Sequence, residues 1–102
     1  MTFKVPETGQ QENLILRQNQ LFDIMSEIEI EVMSAEQKFP KWPLDLNYGD
    51  QIVNEEKGEA TKALLDICQG KSTIDHVRKE YIQTAAMCVR QIAALDRTPP
   101  AF

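Results

Sequence analysis

Apolar residues recur at helical spacing along three stretches of the chain. From Asn13 to about Lys38, Leu14, Leu21, Met25, Ile28, Val32 and Ala35 follow in steps of three and four with a single seven, a heptad-like seam. Phe22, Ile30 and Met33 lie on another side of the same helix, more than one packing neighbour covers. Residues 39–49, Phe-Pro-Lys-Trp-Pro-Leu-Asp-Leu-Asn-Tyr-Gly, predict a loop, because Pro40 and Pro43 bar a continuing helix. Asp50 is the expected cap of a second helix that runs to about Cys68 and is stopped by Gly70. Ser72 or Thr73 starts the third, with Asp75 favouring its first turn; it continues to about Leu95, and Thr98-Pro99-Pro100 ends it. No segment alternates as a strand would. The pattern predicts an all-α fold, an antiparallel helical bundle of three main helices completed by oligomerisation. It divides the chain into a polar N-terminal arm over 1–12, one helical domain over 13–97 and a tail over 98–102.

Composition narrows the function. The chain has 102 residues, a size suited to one domain with a modest core. Sixteen acids against eleven basic residues give a net charge of -5. With a pI near 4.8 this argues against a nucleic-acid surface. No stretch approaches the roughly 18 apolar residues of a membrane span, and Met1 to Gln11 holds no leader-like apolar run. Cys68 and Cys88 are far apart and sit on or beside apolar helix sides, as reduced thiols do, so the expected setting is cytoplasmic.

The acids are not spread evenly around the helices. At about 100° per residue, the apolar arc of the second helix holds Ile52, Val53, Ala60, Ala63, Leu64 and Ile67. Glu56 falls inside that arc and Glu59 at its edge, whereas Glu55, Lys62 and Asp66 point away. On the third helix the main stripe is Ile74, Val77, Tyr81, Cys88, Ile92 and Leu95, with Glu80 and Gln83 on its shoulder. Ile82, Ala86, Val89 and Ala93 give it a second apolar side. A carboxylate facing a core costs several kcal/mol unless it is paired or bound to metal. Two readings follow: these Glu residues pair with Lys or Arg across the bundle, or facing helices build a divalent-metal site from them. Oxygen ligands alone suit Mg²⁺ or Mn²⁺.

Taken together, these residues resemble the MazG-like, all-α nucleoside triphosphate pyrophosphohydrolases, whose signature is Glu-x-x-Glu, a spacer, then Glu-x-x-Asp. Val-Asn-Glu-Glu-Lys-Gly-Glu-Ala-Thr-Lys-Ala (53–63) is similar to the family's Glu-Glu-x-Gly-Glu-Leu-x-x-Ala segment, including Gly58, a poor helix former in mid-helix. Arg-Lys-Glu-Tyr-Ile-Gln-Thr-Ala-Ala-Met-Cys-Val-Arg (78–90) resembles the phage and bacterial branch, as does Phe-Pro-Lys-Trp-Pro (39–43). The similarity covers roughly residues 36–95. The chain departs from the family at Gln83, which stands where the last ligand is normally Asp; its amide oxygen can coordinate Mg²⁺ but brings no charge.

The resemblance implies cleavage of a (d)NTP to the monophosphate and pyrophosphate, with Glu56, Glu59, Glu80 and Gln83 holding Mg²⁺ or Mn²⁺. Glu55 or Glu56 is the candidate base for the attacking water. Lys62 and Arg90, on flanks near the acids, are candidates for the phosphate charge. Trp42 either stacks on the base or covers the open end of the bundle. His76 is expected to stand exposed and alone. Three helices enclose a nucleotide poorly, so a homodimer or homotetramer is expected. The competing reading is a catalytically degenerate or non-enzymatic helical oligomer, an interaction module without metal.

Overall fold

The computed structural model describes residues 16–99, which form α1 (Gln18–Lys38), α2 (Leu46–Ile67) and α3 (Ile74–Asp96). The arm expected over 1–12, the expected helix start from Asn13 with Leu14, and the last residues of the expected tail lie outside the described residues. All three helices exist where the periodicity places them, and no strand occurs among the described residues. No helix among them is long and apolar enough to cross a membrane.

The helix starts differ from expectation. Leu16 and Arg17 precede α1, and Arg17 is extended with no side-chain cap. α2 begins five residues before the expected site: Asp45, not Asp50, is the cap, its carboxylate accepting from the Asn47 N–H at 2.9 Å. α3 starts as expected, with Thr73 Oγ1 accepting from the His76 N–H at 3.1 Å. Between α2 and α3 the chain reverses through Gly70, whose φ of 70° is the left-handed conformation that favours glycine. There Lys71 N–H reaches Asp66 O at 2.9 Å and Gly70 N–H reaches Ile67 O at 3.0 Å, a Schellman closure.

α3 is the central helix. It packs against α2 and against α1, whereas no pair of α1 and α2 residues comes within 8 Å Cα to Cα. The registers follow from three ties. Arg78 forks onto Glu27, with Nη1 donating to Oε1 at 2.7 Å, and Arg90 Nη2 donates to Phe39 O at 2.6 Å, so α1 and α3 run parallel. Gln91 Nε2 donates to Leu46 O at 2.9 Å while Glu80, eleven residues earlier on α3, lies beside Glu56 and Glu59, so α2 runs antiparallel to α3.

Small residues make the α2–α3 contact close: Ala60, Ala63 and Ala86 are buried, with Val77 and Met87. The expected α2 arc is met at Ala60 and Ala63; Ile52, Val53 and Ile67 are half-buried and Leu64 exposed. The main stripe expected to be the core side of α3 is largely outside. Val77 is buried, but Ile74, Tyr81, Ile92 and Leu95 are exposed, because α3 turns its other sides to its two neighbours. On α1, Phe22, Ile30 and Met33 are exposed as a second face, and no residue of the helix is buried.

Two glycines of α2 play opposite parts. A Cβ at Gly49 would lie 2.1 Å from Gln91 Oε1 and 3.0 Å from Trp42 Nε1, displacing the amide that ties Trp42 and Leu46 to α3. At Gly58 a Cβ meets nothing within 4 Å. Gly49→Ala should therefore destabilise by about 1–3 kcal/mol. Gly58→Ala should stabilise by up to about 1 kcal/mol. Chemical denaturation of the two variants checks both signs.

Candidate metal centre

Glu56 and Glu59 stand one turn apart on α2, and the antiparallel register sets Glu80 of α3 against them. One carboxylate oxygen from each lies within 4.8 Å of the others. Glu56 and Glu80 are half-buried and Glu59 is exposed, matching their expected positions inside, beside and on the shoulder of the apolar faces. None of the three pairs with Lys or Arg among the described residues. The cross-bundle ion pair exists, but it belongs to Glu27 and Arg78. The Arg78 guanidinium holds the Glu27 carboxyl below its usual range.

Electrostatics of the cluster are unfavourable as it stands. Burial pushes the Glu56 carboxyl above its ordinary 4.5, and the charges of Glu59, Glu80, Glu31 and Glu55 push it further in the same direction. Glu80 Oε2 is buried with no hydrogen-bond partner. A carboxylate oxygen only accepts, so what satisfies it is a donor or a cation.

Two residues of this neighbourhood escaped sequence reasoning. Glu31 reaches the field of Glu56 from α1; its signal was its place three residues after Ile28 and four before Ala35, on the seam. His76 does not stand alone: it is exposed, yet its Nε2 lies 3.8 Å from Glu80 Oε1, an i,i+4 relation visible in the sequence.

The remaining site residues are placed as follows. Gln83 is half-buried one turn after Glu80 on α3, and Glu55 is exposed next to Glu56. Lys62 is exposed and engaged with Asp66 at 3.1 Å. Arg90 and Trp42 are brought to each other rather than to the acids. The guanidinium sits 4.8 Å from the centre of the Trp42 ring, and Trp42 Nε1 donates to Gln91 Oε1 at 3.1 Å. Arg90 is ten residues beyond Glu80, about 15 Å along the helix. With Pro40, Pro43 and Ala93, Trp42 and Arg90 line a groove of about 540 Å³ at that end of the molecule.

The shift at Glu56 has a stability consequence. A carboxyl whose folded-state proton affinity is raised costs nothing below pH 4.5, where it is protonated folded or unfolded, and costs most once the pH exceeds its raised value. Glu56→Gln should therefore raise the melting temperature at pH 7 in the absence of divalent cations. The advantage should close as the pH falls below 4.5. Paired melting curves across that range check it; a pH-independent difference would assign the effect to packing.

Compared with protein-family models, curated proteins and solved structures, the chain matches none.

Proposed function

We propose that this protein is a divalent-cation-dependent nucleoside triphosphate pyrophosphohydrolase, cleaving a (d)NTP to the monophosphate and pyrophosphate. The single observation that supports it most is the convergence of Glu56, Glu59 and Glu80 without a Lys or Arg partner among the described residues. The donor set fits the group: carboxylate oxygens alone, one of them buried and unsatisfied, suit Mg²⁺ or Mn²⁺ and disfavour softer metals. Glu56, Glu59 and Glu80 would hold the ion, with the Gln83 amide as a neutral fourth ligand. Bound there, it would screen the triphosphate and stabilise charge as the phosphoryl group transfers.

The chain's own groups then have separate tasks. A carboxylate engaged with a cation accepts protons poorly, so the role of base for the attacking water is assigned to Glu55, exposed and next to Glu56 in the chain. Trp42 and Arg90 line a groove whose size falls within the range of small-molecule sites, and they are assigned to the base end of the nucleotide. Lys62 reaches a phosphate by leaving Asp66, an exposed partner-exchange of low cost. Three helices in which α1 and α2 do not meet leave a nucleotide open on one side, so the functional form is a homodimer or homotetramer.

Two measurements test this. Pyrophosphate release should be detectable from at least one common ribo- or deoxyribonucleoside triphosphate with Mg²⁺ or Mn²⁺, and Glu59→Ala should abolish it; no release with either ion across the set would refute the activity. Millimolar Mg²⁺ should also raise the wild-type melting temperature by several degrees, as a ligand of the folded state does, and leave that of Glu59→Ala unmoved. A non-enzymatic oligomer predicts neither effect.

A further inference from the structure

α1 and α2 flank α3 without meeting, so the groove between them has α3 as its floor. The two ties of α1 to α3, Glu27 to Arg78 and Phe39 to Arg90, both join residues 51 apart, which brings Glu31 level with Ile82. Glu31 and Ile82 line one recess together with Lys79. At about 100° per residue, Gln83 lies between the Ile82 side of α3, which faces α1, and the Glu80 side, which faces α2. The half-buried Gln83 is thus at the floor of the groove, with Glu31 on one wall and Glu56 and Glu59 on the other. Glu31 is itself half-buried, and no Lys or Arg pairs with it among the described residues: Arg78 is engaged with Glu27, and Lys79 stays beyond ion-pair distance. After burial, Glu59 and Glu80, Glu31 is the next largest influence raising the Glu56 carboxyl, ahead of Glu55, the neighbour of Glu56 in the chain.

We propose that Glu31 of α1 is the fourth carboxylate of the cation site, supplying from across the groove the negative charge that Gln83 does not bring. The inference rests on the reading of Glu56, Glu59 and Glu80 as a cation site. Those three share oxygens within 4.8 Å and Glu31 is not among them, so it acts from the outer shell, through one of the several waters that Mg²⁺ keeps. Outer groups of this kind are worth much to a metal site, typically 10–100-fold in affinity. The arrangement also gives α1 a part in the site: a bound ion links two helices that otherwise have no contact.

The test is Mn²⁺ affinity of the full chain at physiological ionic strength, without nucleotide. Glu31→Gln, which keeps the shape and removes the charge, should weaken binding about tenfold or more. Its helical circular dichroism should be intact, and its melting temperature without ion no lower than that of wild type. Glu29→Gln, an exposed acid on the same helix, and Lys79→Gln, in the same recess, should not weaken binding. Gln83→Asp should tighten binding, and in that background Glu31→Gln should cost clearly less, because the missing charge has been restored on α3. A wild type that binds Mn²⁺ with Glu31→Gln unchanged would overturn this inference and leave the cation site standing. So would an equal loss in both Gln83 backgrounds, or an equal loss on Glu29→Gln. Absence of saturable binding in the wild type would overturn it together with the reading on which it rests.

Discussion

Three carboxylates held with oxygens within 4.8 Å of one another, two of them half-buried, repel one another, and the rest of the structure works to keep them there. Their backbones are held together: Glu56 and Glu59 by one helical turn, and Glu80 by the register of α3 against α2. Burial and the surrounding acids raise the proton affinity of Glu56, and the Oε2 of Glu80 goes without a donor. Packing that tolerates such a cost at rest is what a preorganised cation site requires. An apolar isostere at any of the three positions would relieve it.

The scaffold that imposes this register is small. Ala60, Ala63 and Ala86 let helix backbones approach, and no large side chain is fully buried among the described residues. Directional ties therefore carry much of the specificity. Gln91 bridges Trp42 and Leu46, Arg90 takes the Phe39 carbonyl at the end of α1, and Arg78 forks onto Glu27. Each of the three uses α3, which is why α3 is central and why α1 and α2 need not touch.

Much of this is legible in the sequence. The three helices follow from the 3.6-residue period, Thr73 and Gly70 from cap chemistry, and the acid cluster from placing Glu56, Glu59 and Glu80 on helical faces. The failures have identifiable causes. Asp45 and Asp50 both precede helical residues, and Gln91, distant in sequence, adds a tie to the earlier start through the Leu46 carbonyl. On α3, apolar residues occupy most of the circumference; period alone says which share a side, not which side meets a neighbour, so the expected core stripe lies outside. Arg90 is a candidate for its flank position near the acids and Trp42 for its flat ring, yet the structure joins them to each other at the far end of α3. Glu31 comes from a helix whose acids the two-helix pattern did not consider.

The central claim is that the Glu56–Glu59–Glu80 cluster holds a divalent cation. Titration of Mn²⁺ into the full chain, with free ion followed by electron paramagnetic resonance, addresses it without nucleotide or turnover. The account predicts one saturable site per chain that is lost in Glu59→Ala and retained in Lys62→Ala. Absence of saturable binding, or a site indifferent to Glu59→Ala, would contradict it.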